Sequence, residues 1–417
     1  MKVGVVGLGY VGLPLAVAFA EADVDVVGVD VSTRVVERLG RGESEIEDVP
    51  DERLAPLVRS GRLRATSDYG ELADCDAIVI CVPTPLANQR EPDLSYIDSA
   101  ARSLAGILRR GQLVVLESTT YPGTTRERLL PVLEESGLAA GTDFHLAFSP
   151  ERIDPGRTDH TIATTPKVVG GLTDACRERA LELYGLICEE LVPVSSPEAA
   201  ELAKLLENIF RSVNIALVNE LAMLADRMGI DIWEVIDAAA TKPFGFMRFE
   251  PGPGMGGHCL PVDPFYLAFK AREFDFPTEF VELAGKINQA QPHFCVDLIT
   301  RALNDVERPV KGSRVLLLGV SYKAGVGDLR ESPALKIARL LRDLGAIVSY
   351  HDPHVPSVAE LDLESVPLED GLRDCDVACV VTAHPEVDYE RVVASAPLVV
   401  DLRGVTRGIK ASNLVRL

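Results

Sequence analysis

A single cysteine, Cys259, stands in the irregular stretch PGMGGHCLPVDP, residues 253–264. Glycine and proline bury little apolar surface and leave the backbone either loose or rigid, so this composition is not typical of a core segment. A thiol held on such a loop is a candidate nucleophile, because the thiolate form of cysteine is strongly nucleophilic. An inert free thiol on a loop is the alternative interpretation.

Two polar residues on an apolar helix are candidates to assist this thiol. Apolar residues recur at three- and four-residue spacing from Pro197 to about Asp237, which predicts a long helix. Lys204 and Asn208 are four residues apart and therefore lie on one face of that helix. Polar residues at such positions are usually the solvated side of a helix, but asparagine is unfavourable in a helix interior, which favours a functional interpretation.

A glycine motif near the start of the chain predicts a dinucleotide site. Gly7, Gly9 and Gly12 form GxGxxG between a valine-rich strand, Val3–Val6, and an apolar helix. The first glycine permits a tight turn, the second lets a pyrophosphate approach the backbone, and the third lets the helix pack closely on the strand. The helix amino terminus supplies amides and the positive end of a dipole.

The acid that follows this motif selects between two dinucleotides. Asp30 ends the second strand, 18 residues after Gly12, where a carboxylate can accept hydrogen bonds from the adenosine ribose hydroxyls. It would repel a 2′-phosphate, so the pattern predicts NAD rather than NADP. Arg34 weakens the distinction, because a basic group nearby would tolerate the phosphate.

Three more strand patterns, at 77–85, 112–120 and 145–156, end in polar or turn residues. In a parallel sheet these ends meet at the carboxyl edge, where ligands bind. The residues are Pro83 and Thr84, Ser118 and Thr119, and Glu151 and Arg152. Turn formation and helix capping explain the threonines, serine and proline equally well, and an adjacent acid and base on a loop usually form a solvated pair.

The last third of the chain repeats the layout of the first. After Lys311 there is a strand pattern at Val315–Leu318, then a loop, a helix and a strand that ends at Asp352. The segment GLRDCDVACVVTAHP, residues 371–385, also resembles ELADCDAIVICVPTP, residues 71–85. This predicts an α/β fold with two Rossmann-like parallel-sheet domains joined by a long central helix or helical domain. The second has lost GxGxxG and is expected to bind something other than NAD.

Composition excludes several classes of protein. The formal net charge of −21 argues against nonspecific nucleic-acid binding, and we expect no nucleic-acid and no membrane partner. The charge-free segment Val3–Ala20 fits the strand, turn and helix better than a signal peptide or a membrane anchor. Eight scattered cysteines without a CxxC pair indicate reduced thiols, a cytoplasmic protein and no structural zinc. HDPHVP, residues 351–356, is interpreted as a turn, so no metal is predicted.

The segments predict three domains. Residues 1–195 are expected to bind NAD, 196–300 to form a central helical domain that carries the candidate lysine, asparagine and cysteine, and 301–417 to form the second Rossmann-like domain. The long helix lies between the two sheet domains and is expected to form the surface of a homodimer.

These motifs together resemble the UDP-glucose/GDP-mannose dehydrogenase family over the whole chain. The matching pieces are GLGYVG (7–12), VPTP (82–85), ESTTYPGTT (117–125), SPER (149–152), KLLEN (204–208), GGHCLPVDP (256–264) and YKAGVGDLRESPA (322–334). The resemblance implies an NAD-dependent oxidation of the sugar C6 alcohol to a carboxylate in two hydride transfers. It also implies that residues 301–417 bind the UDP-sugar.

The resemblance also implies a reason for the cysteine. An aldehyde yields a second hydride only after a nucleophile has added to it, and Cys259 would form a thiohemiacetal that is oxidised to a thioester. Lys204 would stabilise the oxyanion and favour the thiolate, and Asn208 would help to hold the same oxygen.

Two further roles in the chemistry follow from the resemblance. Asp263, with a water held by Thr119, would act as the base of the first step, and Glu151 would serve thioester hydrolysis.

The binding residues implied by the resemblance form two groups. The cofactor-binding group is Gly7, Gly9, Tyr10, Val11, Gly12, Asp30, Arg34, Pro83, Thr84, Ser118, Thr119 and Arg330. The substrate-binding group is Glu151, Arg152, Lys204, Asn208, Arg211, Lys242, Gly256, Lys323 and Arg403.

Several residues indicate which sugar is oxidised. Members that act on UDP-glucose typically have GGSCFPKD and NPEF, whereas this chain has His258, Val262 and Arg152 at the corresponding positions, with Arg211 near the active-site helix. This set resembles the branch that acts on UDP-N-acetylhexosamines in polysaccharide synthesis. TKPFGFM, residues 241–247, favours UDP-N-acetylglucosamine.

One residue departs from that branch. Arg248 stands where proline is expected, so UDP-N-acetylmannosamine and UDP-glucose stay open as substrates. A one-step hydroxyacid dehydrogenase, which needs no thiol, and a non-catalytic NAD-binding protein are the remaining alternatives.

Overall fold

The computed structural model describes residues 1–86, 91–153, 160–257 and 263–417. These form two compact units, of which the first comprises 1–207 with 265–277 and the second 208–264 with 278–417. Each unit contains a sheet packed against helices, largely parallel in the first unit and parallel in the second, and a long helix lies in the chain between the two sheets. The predicted fold class is confirmed.

The first unit contains a sheet that has eight strands within the described residues, in the order β3-β2-β1-β4-β5-β6-β7-β8. Their bounds are β1 Lys2–Val6, β2 Asp25–Val29, β3 Leu63–Thr66, β4 Ala77–Ile80, β5 Leu113–Leu116, β6 His145–Phe148, β7 Lys167–Gly171 and β8 Leu191–Val194. The strands pair in parallel except for β6 and β7, which are antiparallel. The central strands are apolar on both faces because helices cover both sides of the sheet.

The helices of the first unit pack their apolar faces on this sheet. They are α1 Gly12–Glu21, α2 Thr33–Gly40, α3 Asp51–Arg59, α4 Ser95–Ala105, α5 Leu130–Glu134 and α6 Asp174–Tyr184. A segment with π-type hydrogen bonding, Thr125–Leu129, leads directly into α5.

The predicted central helix is present but shorter than expected. The helix α7 spans Pro197–Met228 and stops before Gly229, whose φ of +66° is in the left-handed region that favours glycine. The side chain of Asp231 then caps a separate helix, α8, Ile232–Ala240. The prediction of one helix to about Asp237 was therefore wrong beyond Met228, because the apolar periodicity continues across the break.

The second unit contains a smaller sheet, which has five strands within the described residues, in the order β10-β9-β13-β14-β15, all parallel. A two-stranded ribbon of β11 and β12 accompanies it. The bounds are β9 Arg314–Leu318, β10 Ile347–His351, β11 Ser357–Val358, β12 Leu363–Glu364, β13 Val377–Val380, β14 Val399–Asp401 and β15 Leu414–Arg416.

Helices again surround this sheet. Helix α9, Asp263–Ala271, comes next in the chain but lies almost entirely in the first unit. The helices of the second unit that follow it are α10 Glu279–Asp305, α11 Pro333–Asp343, α12 Leu368–Asp374 and α13 Tyr389–Ser395. Among the helices of the described ranges, none is both long enough and apolar enough to cross a membrane.

The second sheet carries its own acid where the first has Asp30. Asp352 follows β10, and its Oδ2 atom accepts hydrogen bonds from the amides of Val320 (2.7 Å) and Ser321 (3.2 Å). Oδ1 accepts from the amides of His354 and Val355. Because Asp352 is buried and its oxygens are taken by the loops around it, it is not available to a ribose.

Candidate active site

The loop between β1 and α1 has the shape that a pyrophosphate requires. Gly7 has a φ of +91°, and a Cβ atom there would lie 2.6 Å from the Cys81 carbonyl oxygen. A Cβ atom at Gly12 would overlap the Gly7 carbonyl oxygen, whereas one at Gly9 would meet nothing within 4 Å. The first turn of α1 has no acidic residue and no side-chain cap, so its amides suit an anion. Tyr10 is exposed beside this opening.

Asp30 is held at the edge of the same opening. Its Oδ2 atom accepts from the Leu8 amide and its Oδ1 atom from the Ser32 amide, both at 2.9 Å. Arg34 is exposed and forms an ion pair with Glu45 at 2.9 Å. The carboxylate of Asp30 is therefore held where the adenosine ribose of NAD is expected, while the side chain of Arg34 pairs with Glu45.

The ends of β4 and β5 come together at the carboxyl edge of the sheet. The hydroxyl of Thr84 donates to the Thr119 carbonyl oxygen at 2.8 Å, and that of Ser118 donates to the Val82 carbonyl oxygen at 2.7 Å. Thr84 and Ser118 are buried, and Pro83 is exposed. These hydrogen bonds hold the two loops together, so Thr84 and Ser118 have a structural role in addition to any contact with a cofactor.

Glu151 and Arg152 do not pair with each other as a solvated acid and base. Arg152 forms an ion pair with Glu207 at 2.8 Å and donates to the Pro166 carbonyl oxygen at 2.6 Å. Glu151 is half-buried, its Oε1 atom accepts from the Ile153 amide at 2.5 Å, and its Oε2 atom lies 4.0 Å from Lys167 Nζ. Each side chain is therefore oriented by a different set of partners.

Lys204 lies on the buried face of α7 and is 8% exposed. Within the described part of the chain its ammonium group has neither a hydrogen-bond acceptor nor an ion-pair partner. Burying a charge without compensation is costly, so such a position is typical of a group that meets a charge on a ligand.

Asn208, one helical turn further along α7, contacts the beginning of α9. Its side-chain amide donates to Oδ2 of Asp263, and both side chains are buried. The two residues are 55 positions apart in the chain. The resemblance assigns both to the chemistry, and the fold of the second unit brings them together.

The glycine-rich loop before the cysteine packs on the loop after β9. A Cβ atom at Gly256 would lie 2.7 Å from the Cβ atom of Tyr322, and one at Gly257 would lie 2.9 Å from its ring. The Gly257 amide donates to the Arg330 carbonyl oxygen at 3.0 Å. These glycines are thus required by packing against Tyr322. Cys259, the predicted nucleophile, lies outside the described residues, as do residues 258 and 260–262.

A second basic residue sits beside the start of that loop. A Cβ atom at Gly252 would overlap Nη1 of Arg403, so only glycine fits there. Burial lowers the pKa of Arg403 despite the acidic groups of Glu250 and Asp401 nearby. Among the described residues no acceptor takes a hydrogen bond from the Arg403 guanidinium. The group suits an anionic ligand.

The other predicted substrate residues have less restricted positions. Lys323 is half-buried in the loop after β9, and the Arg330 side chain forms a fork with Asp328, with the shortest contact at 2.6 Å. Arg211 is exposed, and Lys242 is exposed with its Nζ atom 5.0 Å from the ring centre of Phe244.

One cluster of the second unit has the composition of a metal site. Ligand atoms of His354, His384 and Glu386 lie within 4.8 Å of one another. The Nε2 atom of His384 is 3.0 Å from Asp352 Oδ2, however, and its Nδ1 atom accepts from the Gly325 amide at 3.2 Å. Both ring nitrogens are therefore engaged, and we assign the cluster a structural role in joining loops.

Sequence analysis missed a buried ionic group behind Glu151. It consists of Glu117, Lys167 and Tyr184. The only local signal is that Glu117 directly precedes the predicted Ser118–Thr119 pair, and nothing near Lys167 in the chain distinguishes it from a solvated strand end.

The fold and these groups define a dinucleotide-dependent dehydrogenase with a second sheet unit. Three family models match the chain: the NAD binding domain, the central domain and the UDP binding domain of the UDP-glucose/GDP-mannose dehydrogenase family, over residues 1–187, 198–290 and 316–408. The chain belongs to this family, which confirms the resemblance. The cofactor is NAD, the substrate class is UDP-sugars, and the protein is an oxidoreductase that acts on an alcohol.

Individual relatives cover nearly the whole chain. The UDP-N-acetyl-D-mannosamine dehydrogenase of Pyrococcus horikoshii is 35% identical over 98% of this chain and 100% of its own length. Its solved structure matches with a TM-score of 0.91, 34% identity and coverage of 100% of this chain and 99% of that one. The UDP-N-acetyl-D-glucosamine 6-dehydrogenase of Pseudomonas aeruginosa is 39% identical over 85% of this chain and 83% of its own length.

Proposed function

We propose that this enzyme oxidises the C6 hydroxyl of UDP-N-acetylglucosamine to the uronic acid in two successive oxidations, with Cys259 as the covalent nucleophile. UDP-N-acetylmannosamine is the second candidate substrate and UDP-glucose the third. A one-step hydroxyacid dehydrogenase and a non-catalytic NAD-binding protein are less well supported, because neither explains the polar groups on α7.

The observation that carries the proposal is the pair of polar residues on α7. Lys204 is a buried ammonium without a partner in the described ranges, and Asn208, one turn away, is bonded to Asp263. A hydride acceptor alone would not require a buried, unneutralised cation. A reaction that develops negative charge on oxygen does, because a preorganised cation in a dry site stabilises that charge strongly.

In the first oxidation the carboxylate of Asp263 takes the proton of the 6-hydroxyl through a water that Thr119 holds. NAD, when bound, would supply the hydride acceptor, and each of the two oxidations would consume a separate NAD. Asn208 donates to one carboxylate oxygen of Asp263 and so fixes its orientation. An asparagine amide has two N–H groups, so the same side chain can also donate to the substrate oxygen.

In the second oxidation the thiolate of Cys259 forms a bond to C6 of the aldehyde. Lys204 donates to the resulting oxyanion, and its charge also favours the thiolate form of the cysteine. Loss of a hydride from C6 of this thiohemiacetal then gives the thioester. Water cleaves the thioester, and Glu151 accepts the proton of that water as the new C–O bond forms. The thiolate leaves as the C–S bond breaks, which regenerates the free enzyme.

Two similarities support N-acetylglucosamine as the sugar. The relative from Pseudomonas aeruginosa, which acts on UDP-N-acetyl-D-glucosamine, has the higher identity of the relatives described above. TKPFGFM, residues 241–247, resembles the corresponding branch of the family. UDP-N-acetyl-D-mannosamine dehydrogenases match a larger share of the chain, and they keep the second candidate open.

We further propose the division into domains 1–195, 196–300 and 301–417, a homodimer through α7 and a cytoplasmic location. The exposed apolar residues of α7 support the dimer: Phe210, Leu217, Leu221, Leu224 and Met228. The described cysteines are buried and form no disulfide, which supports a reducing compartment.

The test is the amount of NADH formed per UDP-sugar consumed, with excess NAD and each of the three UDP-sugars. Two NADH per UDP-N-acetylglucosamine is the expected result. Cys259→Ser should then abolish net oxidation to the acid. One NADH per sugar, with equal turnover by Cys259→Ser, would establish the one-step reaction instead. NAD binding without NADH from any of the three sugars would favour the non-catalytic alternative.

A further inference from the structure

A buried lysine stands directly behind Glu151 in the first unit. Lys167 is the first residue of β7, and its side chain is 7% exposed. Its Nζ atom donates to the Pro150 carbonyl oxygen at 3.1 Å and lies 4.0 Å from Glu151 Oε2. An ammonium buried to this extent needs acceptors that remain in place, because it cannot exchange them for water.

The lysine is itself anchored on the opposite side. It forms a close ion pair with Oε1 of Glu117, which directly follows β5. The other oxygen of Glu117, Oε2, accepts a hydrogen bond from the hydroxyl of Tyr184 at 2.9 Å. Glu117 and Tyr184 are both fully buried. Three elements, β5, α6 and β7, thus fix the position of one ammonium group.

This arrangement restricts Glu151 at both carboxylate oxygens. The Oε1 atom accepts from the Ile153 amide, and Oε2 faces Lys167, which also holds the peptide carbonyl immediately before Glu151. We propose that Lys167 is the positioning residue of Glu151, held in turn by Glu117 and Tyr184, and that it serves the hydrolysis of the thioester rather than either oxidation.

The inference rests on the proposed function, in which Glu151 accepts a proton from water during hydrolysis. Water forms a C–O bond to the thioester carbon, the C–S bond breaks, and the thiolate of Cys259 leaves. No electrons are transferred in this step. A carboxylate that rotates away from the water loses proton transfer, which typically contributes about 100- to 10,000-fold to a rate.

The competing explanation is that Lys167 only neutralises Glu117. Removing one partner of a buried ion pair leaves an unpaired charge, so Lys167→Met alone would not separate the two explanations. The double variant Glu117→Gln/Lys167→Met removes both charges and leaves Glu151 intact. Lys270→Met is a matched control, because Lys270 is equally buried but pairs with Glu127 and Glu273 instead.

The experiment is a first-turnover measurement with UDP-N-acetylglucosamine and NAD. NADH is followed by absorbance, and the protein is quenched for intact-mass analysis. In the double variant we expect a burst of about two NADH per active site, a steady rate at least 10-fold below wild type, and a covalent sugar adduct on the enzyme. Lys270→Met should lower the thermal midpoint without accumulating the adduct.

A conservative substitution gives a second measurement, in which the protein keeps the buried charges of Glu117 and Lys167. Tyr184→Phe removes only the hydroxyl that holds Glu117, and we expect hydrolysis to slow by about 3- to 10-fold with kcat/KM for the sugar unchanged. The inference is overturned if neither variant accumulates the adduct, or if their losses appear in kcat/KM for the sugar or in the first NADH. A wild-type enzyme that forms one NADH per sugar would instead overturn the proposed function.

Discussion

The backbone of Gly252 lies directly against the guanidinium of Arg403, so that a methyl group on residue 252 would overlap Nη1. The arginine enters from the loop after β14, and the glycine precedes the segment that carries the cysteine. Arg403 is proposed to contact the UDP-sugar. A larger residue at position 252 would therefore displace the guanidinium of Arg403 without changing its charge.

We expect Gly252→Ala to raise the KM for the UDP-sugar by about 10- to 100-fold, which corresponds to the loss of one hydrogen bond to a charged group. The affinity for NAD should not change. Gly285→Ala on α10 is the control, because a Cβ atom there meets nothing within 4 Å and alanine favours a helix. Steady-state kinetics with each substrate varied in turn would make the comparison. An unchanged KM for the sugar in Gly252→Ala would count against the role of Arg403.

The glycines of the first loop predict two separable defects. Gly9→Ala should fold normally, since its Cβ atom meets no protein atom, but should weaken NAD binding at least 10-fold because the methyl group occupies the pyrophosphate space. Gly12→Ala should destabilise the protein by about 3 kcal/mol or more, because its Cβ atom overlaps the Gly7 carbonyl oxygen.

Thermal unfolding with and without NAD distinguishes these two outcomes. A ligand present at 100 times its Kd stabilises the folded state by about 2.7 kcal/mol. Wild type should show that shift, and Gly9→Ala should show the same midpoint as wild type without NAD but little shift with it. Equal NAD-dependent shifts in both proteins would contradict the prediction.

A buried carboxyl on α7 predicts a pH dependence of stability. Glu201 accepts hydrogen bonds from the amides of Gly123 and Thr125 and from the Thr125 hydroxyl. Burial raises its pKa from 4.5 to about 7 although these donors oppose the shift. The folded state therefore binds this proton more tightly than the unfolded chain. The resulting stability is fully present below about pH 4.5 and is lost as the pH rises through about 7.

We expect Glu201→Gln to remove this loss. Between pH 5 and 8 the wild-type free energy of unfolding should fall relative to the variant by on the order of 2 kcal/mol. Glu198→Gln, three residues earlier on α7, is a control of opposite sign, since Arg126 and other donors outweigh burial and lower the pKa of Glu198. Urea denaturation at several pH values measures each curve, and parallel curves for wild type and Glu201→Gln would refute the assignment.

The elements that sequence patterns located are those whose signal is local. The first loop, Asp30 and the strand ends at Thr84 and Ser118 follow from motifs within a few residues of each other, and the second sheet follows from an internal repeat. In the structure the first loop, Asp30, Thr84 and Ser118 follow the carboxyl ends of β1, β2, β4 and β5, and the second sheet is present.

The features that patterns did not locate depend on distant contacts. The strand β8 contains a proline and is only four residues long, so its sequence gives no clear strand signal. The antiparallel pairing of β6 with β7 also has no clear local signal. Lys167 meets Glu117 across 50 positions, and Gly257 lies against Tyr322, which is far from it in the chain. No spacing rule in a single sequence links such pairs.

Arg248 departs from the pattern expected near the site. Its side chain pairs with acidic residues of the second unit. It forms an ion pair with Asp237 at 2.7 Å and one with Glu250 at 2.9 Å. We therefore expect Arg248→Ala to leave the preference among UDP-sugars within about threefold of wild type and to cost less than about 1 kcal/mol of stability. Ratios of kcat/KM for the three sugars provide the measurement. A larger change in preference would assign Arg248 to sugar recognition.

The exposed side of α7 predicts the assembly. Leu217, Leu221, Leu224 and Met228 follow one another at spacings of four, three and four residues, so they form one stripe, and each is at least 44% exposed. An apolar stripe of this kind on a long helix favours a second copy of the chain, because a large exposed apolar patch marks an interaction surface.

We expect Leu221→Glu to shift the protein from dimer to monomer at micromolar concentration, because the dimer would bury an unpaired carboxylate. Ile347→Glu is the control, since Ile347 is also exposed but belongs to β10 and not to α7. Sedimentation velocity of wild type and both variants measures the mass. A wild-type protein that sediments as a monomer, or a Leu221→Glu variant that still sediments as a dimer, would show that this stripe is not the interface.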